Sequence, residues 1–93
     1  MTHDDLARIR RICAAEGLPE ARVYELLGAS SGVRGVGCTN GEIVLQRETS
    51  WPLILHELAH VRYPHHDRDH SYYWLHLLEV YCRVEWREET YPP

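Results

Sequence analysis

Apolar residues recur at three- and four-residue intervals through the first stretch of the chain. Leu6, Ile9, Ile12 and Cys13 fall on one face, with Arg8, Arg10 and Arg11 on the other. This period predicts an amphipathic helix that starts at Asp4 or Asp5 and is stopped by Gly17. Pro19 then predicts the opening of a second helix, with a face of Val23, Leu26 and Leu27 and an end at Gly28. From Ser30 to Glu48 the pattern changes. Short apolar runs flank Thr39-Asn40-Gly41-Glu42, and Asn-Gly in that setting favours a tight hairpin turn whose central residues take positive φ. The expectation is one antiparallel pair at about 33–38 and 42–47, with no third strand and therefore an open sheet edge.

The segment WPLILHELAHVRY is apolar nearly all round and reads as a buried helix. Thr49 or Ser50 can cap it, Pro52 lies in its first turn, and Pro64 predicts its end. PHHDRDH follows as a polar connection. A last helix is expected from about Ser71 to Arg87, before the tail TYPP. The fold class is therefore α+β, one small domain over residues 1–93. It has N-terminal helices, a short antiparallel β-hairpin, a central helix and a C-terminal helix.

Composition narrows the function classes. The 93 residues carry 14 acidic and 10 basic side chains, a formal net charge of -4. Sequence-independent nucleic-acid binding needs a basic face to displace counterions, so no nucleic-acid partner is expected. No apolar run is long enough to span a bilayer, and MTHDDLARIRR does not read as a signal peptide, so no membrane partner is expected either. Cys13, Cys38 and Cys82 are widely spaced and form no C-x-x-C pair. They read as small buried hydrophobes of a reducing, cytoplasmic compartment. All ten basic residues are arginine, to which no function is attached. The histidines are another matter: six of the seven lie between His56 and His76.

His56-Glu57-Leu58-Ala59-His60 is H-E-x-x-H within the apolar helix. Residues four apart lie one turn above each other, with Cβ atoms about 6 Å apart, so both imidazoles can reach one ion. Glu57, offset by one residue, can sit beside a bound ion without ligating it and take a proton from a coordinated water. A buried pair of histidines with a glutamate also needs partners, which a solvent-facing accident would not. A catalytic zinc keeps three protein ligands. Three residues compete for the third place. His66 gives the spacing of metzincins, which carry glycine where this chain has Tyr63. Glu79 gives a gluzincin-like spacing in unlike surroundings. His70 opens the last helix on the same face as Trp74, Leu77, Tyr81 and Val84, whereas Glu79 points about 180° away from it. That order of merit is His70, His66, Glu79.

The stretch WPLILHELAHVRYP…DHSYYWLHLL resembles the active-site segment of the SprT-like and WLM-type zincin metallopeptidases. In those families H-E-x-x-H is followed, after a polar connection, by H-[GS]-x-x-[FW] at the start of a second helix. His56, Glu57 and His60 match the first motif, and His70, Ser71 and Trp74 match the second. The resemblance covers about residues 42–81. It implies a zincin-like core, a Zn2+ cofactor held by His56, His60 and His70, Glu57 as the catalytic base, and a peptide or protein substrate. The cysteine-rich ribbon and DNA-binding tails of DNA-linked members have no counterpart, so clearing proteins from DNA is not expected.

Weaker candidates surround this set. Tyr63, Tyr72, Tyr73 and His76 could donate to an oxyanion, although each reads more simply as a core or rim aromatic. Asp67 or Asp69 could orient a ligand histidine through its second nitrogen. His65 and His3 read as solvated, as does His66 unless it takes the third ligand place. Two other functions compete with a peptidase. One is a metal-dependent endoribonuclease of the small bacterial family with H-x3-H-x5-H, here His56, His60 and His66; Glu57 and the acidic charge count against it. The other is a non-catalytic zinc-binding interaction module, which has no use for Glu57.

Overall fold

The computed structural model describes residues 2–26, 35–37, 40–46 and 49–82. Helix α1 spans His3–Glu16. Thr2 and Asp5 close a capping box at its start, and Gly17 ends it in the left-handed conformation with φ 69°. Ile9, Ile12 and Cys13 are the residues it buries, as the period predicts.

The segment expected as a second helix is a strand. β1 covers Arg22–Leu26, β2 Gly35–Gly37 and β3 Glu42–Gln46. β3 is central, in the order β1-β3-β2. β1 pairs with it in parallel from Arg22–Glu42 to Leu26–Gln46. β2 pairs with it antiparallel from Gly35–Leu45 to Gly37–Ile43. The sheet is thus not the lone antiparallel pair expected from the sequence, because β1 joins β3 as a third, parallel strand. The spacing of Val23 and Leu26 suits a helix, but Ala21 is buried and Val23 half-buried while Arg22 and Tyr24 are exposed, which is a strand's alternation. Residues 33, 34, 38 and 47 of the expected pair, together with Leu27, Gly28 and Cys38, lie outside the described residues.

Between β2 and β3, Gly41 takes φ 90°. A Cβ there would stand 2.8 Å from the Glu20 carbonyl oxygen, so glycine is required both by conformation and by space. Asn40 Oδ1 accepts the Glu42 N–H at 3.0 Å, and the Arg22 N–H donates to the Gly41 carbonyl at 2.9 Å. The turn therefore anchors β1 as well as joining the hairpin.

Helix α2, Trp51–Arg62, is capped by Ser50, with Pro52 in its first turn. Helix α3, Arg68–Leu77, is capped by Asp67 and passes into a π-helical turn at Leu78–Cys82. The last helix therefore begins three residues earlier than Ser71 and widens at Leu78; residues 83–87 of its expected course lie outside the described residues. Both α3 and the sheet strands β2 and β3 pack against α2. Ile43 and Leu45 of β3 meet Leu55, Leu58 and Ala59 of α2 in a fully buried core, which Leu77 of α3 joins. Among the described residues no helix is long and apolar enough to cross a membrane.

Candidate metal centre

Helix α2 is held in the middle of the molecule by its apolar residues, so every side chain on it must find a place in the core or on its rim. His60 is 7% exposed and Glu57 4%. These are costly groups to bury unless something satisfies them. α3 brings the third histidine. Asp67 accepts the backbone N–H of His70 at 3.0 Å, which starts α3 at the position that turns His70 inward, leaving it 2% exposed. The potential ligand atoms of His56, His60 and His70 all lie within 4.8 Å of one another. These three histidines are close enough to hold a metal ion.

The rings are arranged edge to face and stacked. His60 and His70 stack with centroids 3.9 Å apart. His56 stands edge-on to His60 at 4.8 Å and to His70 at 4.7 Å. Trp74, one turn beyond His70, walls the group with its ring centroid 4.5 Å from that of His56. Its indole N–H donates to the Pro52 carbonyl at 3.0 Å.

Three observations fit this set to a cation. His60 Nδ1 lies 3.1 Å from the Tyr63 carbonyl oxygen, and His70 Nε2 lies 3.2 Å from the His56 carbonyl oxygen. A ring nitrogen facing a carbonyl carries the proton, which leaves the other nitrogen bare and able to ligate. Among the described residues, buried His56 Nδ1 has no hydrogen-bond partner. Finally, the set is held neutral. Burial, and then the neighbouring His70, His60 and His66, push His56 down to about 4. Burial likewise lowers His60 and His70, against the opposing pull of their carbonyl partners. Neutral imidazole is the form that binds metal.

The other sequence candidates sort themselves around this group. His66 approaches it from the connection between α2 and α3, with Nε2 2.9 Å from His60 Nε2 and 3.2 Å from His56 Nε2. Glu79 sits exposed in the π-helical turn and is not part of the histidine group. Asp67 serves as a helix cap and Asp69 is exposed. Ring nitrogens of His60 and His70 face two backbone carbonyls and not these carboxylates, a pairing that no sequence motif announces. Tyr72 is 64% exposed, and His65 is exposed as expected.

Tyr73 and His76, weighed as oxyanion donors, are committed elsewhere. The Tyr73 hydroxyl donates to Glu16 Oε1 at 2.9 Å, the Tyr81 hydroxyl donates to Oε2 at 2.7 Å, and His76 Nε2 lies 3.2 Å from Oε1. The Arg62 guanidinium lies over the Tyr73 ring at 4.8 Å and donates to the Glu16 carbonyl at 2.6 Å. This polar knot ties the end of α1 to α2, α3 and the π-helical turn. Sequence reasoning missed it because Glu16 is separated by 57 residues from Tyr73. Comparison with protein-family models, with curated proteins and with solved structures found no match, so the histidine group and its surroundings carry the functional reading by themselves.

Proposed function

We propose that this protein is a zinc-dependent metallopeptidase in which His56, His60 and His70 hold the ion and Glu57 moves the proton. The observation that carries the reading is the convergence of these three histidines; Glu57, next to His56 in the chain, is buried on the helix that supplies two of them. A structural site has no need of that carboxylate. The SprT-like resemblance points the same way.

Zinc at such a site supplies Lewis acidity, polarising a peptide carbonyl and easing deprotonation of a water. The Glu57 carboxylate takes the proton from the attacking water and returns it to the departing amide nitrogen. The carbonyls of Tyr63 and His56 keep the His60 and His70 rings from turning. β2 is an outer strand of the sheet and packs against α2. Among the described residues no strand pairs with its outer edge, which can align an extended peptide as an added strand. The leading test is Glu57→Gln. It should leave zinc binding unchanged and abolish cleavage of a peptide library that the zinc-loaded wild type cuts and the chelated protein does not. Undiminished cleavage by the variant would refute the role given to Glu57.

One observation favours a second reading. His66 lies beside His56 and His60, the histidine trio of an H-x3-H-x5-H endoribonuclease. The same preparations, offered RNA, distinguish the two: metal-dependent RNA cleavage without peptide cleavage would select the nuclease.

A further inference from the structure

We infer that His66 is a fourth protein ligand, closing the metal centre in its resting state, and that it must withdraw to admit substrate. The inference rests on the metal-site reading above and deepens it by assigning what occupies the position a catalytic ion leaves open.

One ring nitrogen of His66 faces two others across hydrogen-bond distances. His66 Nε2 faces both His60 Nε2, at 2.9 Å, and His56 Nε2, at 3.2 Å. His60 already has its proton accounted for at Nδ1, against the Tyr63 carbonyl, so its Nε2 is a bare acceptor. A proton on His66 Nε2 can point at His60 or at His56, not at both. One cation satisfies all three nitrogens together. The separations agree with that occupant, because bonds of about 2.0 Å to a tetrahedral ion hold neighbouring ligand nitrogens about 3.3 Å apart.

His70 belongs to the same group: its ring stacks on that of His60 with centroids 3.9 Å apart, and its ligand atom lies within 4.8 Å of those of His56 and His60. Its ring stands nearly perpendicular to that of His66, at 88°, with centroids 5.4 Å apart. The four histidines thus come from three places: His56 and His60 from α2, His66 from the connection, and His70 from α3. They differ in how firmly they are held. His60 and His70 are buried and tied to carbonyls, whereas His66 is exposed and lies on the short non-helical stretch between Tyr63 and Asp67. Of the four, His66 is the ligand that can leave without disturbing a helix. Four imidazoles fill a tetrahedral ion and leave no place for water or a peptide carbonyl. A peptidase built this way is closed to substrate until His66 swings out.

X-ray absorption at the zinc edge reads the ligand set directly. The zinc-loaded wild type should show four imidazoles. His66→Ala, and as a second variant His66→Gln, should lose one imidazole and gain a lighter oxygen scatterer. Peptide cleavage by His66→Ala should rise, as the open position no longer has to be vacated. Three imidazoles in the wild type, unchanged by either substitution, would overturn the inference while leaving the peptidase reading intact. A drop to two imidazoles in His66→Ala, with none lost in His70→Ala, would also overturn it by making His66 the third ligand. Loss of one imidazole from four, with no peptide cut by any form, would uphold the fourth ligand and defeat the peptidase instead.

Discussion

The indole N–H of Trp74 reaches the carbonyl oxygen of Pro52 across 3.0 Å, joining the helix that carries His70 to the first turn of the helix that carries His56 and His60. The Trp74 ring also walls both His56, at 4.5 Å between centroids, and His70, at 6.5 Å. One side chain therefore fixes the distance between the two halves of the histidine group.

Separating those two roles needs two substitutions. Trp74→Phe keeps an aromatic wall and removes the donor, and should cost about 1 kcal/mol of stability with zinc affinity little changed. Trp74→Ala removes the wall as well, and should cost about 3–5 kcal/mol. It should also weaken zinc binding, because the His56 and His70 rings gain freedom that binding must then remove. Urea unfolding of the chelated protein and competition titration with a zinc chelator measure the two effects. Equal zinc affinity in the wild type and Trp74→Ala would show that the wall does not position the ligands.

Glu16 plays a comparable part on the opposite side of α3, and its charge makes the effect depend on pH. Burial works to raise its pKa, but hydrogen bonds from Tyr81, Tyr73 and His76 together outweigh burial and hold the carboxyl below its ordinary value of 4.5. A carboxyl lowered on folding stabilises the protein above its unfolded value, and the contribution is lost as pH falls through the lower folded value. Glu16→Leu leaves the hydroxyls of Tyr73 and Tyr81 without their acceptor and should cost about 1–3 kcal/mol at neutral pH. The gap between wild type and variant should close as the solution is acidified below 4.5. Denaturant titrations at a series of acid pH values follow that gap; a gap that stays constant would mean Glu16 acts through packing and not through its charge.

The two polar clusters show which parts of this molecule a sequence reveals. α1 and α2 were legible because the Ser50 cap of α2, the apolar residues of both and the terminating Gly17 and Pro64 all act within a few residues, although α1 begins at His3 behind Thr2 and not at Asp4 or Asp5. His56 and His60 were legible for the same reason, since four residues of helix determine their proximity. His70 needed the face of the last helix and the zincin resemblance together. β1 was misread because Pro19, Val23 and Leu26 suit a helix start and face, whereas the strand depends on pairing with β3, 20 residues away at Arg22–Glu42. The π-helical turn escaped for a like reason. It accompanies the reach of Tyr81 to Glu16, a contact 65 residues long that no local pattern encodes. The carbonyls of Tyr63 and His56 that face the His60 and His70 rings are backbone groups, which carry no residue signature at all.

The histidine group itself should make the metal-free protein sensitive to mild acid. His56 is pushed down to about 4, by burial first and then by His70, His60 and His66, from an ordinary 6.5. His60 and His70 are lowered in the same direction, chiefly by burial. Between 6.5 and about 4 the unfolded chain takes up a proton at position 56 that the folded chain resists, and His60 and His70 act in the same direction. Stability must therefore fall as pH drops from about 6.5 towards 4, a window above that of Glu16. Melting curves of the chelated protein across this range should show a steady decline in midpoint. Replacing His56 with Asn should flatten that decline, since one of the three clustered imidazoles no longer competes for a proton. Zinc should steepen it, because protons then displace the ion as well as opening the fold. A chelated protein whose midpoint does not change from pH 7 to 4.5 would show that the imidazoles are not held neutral by the fold, and the case for a preformed metal centre would fall with it.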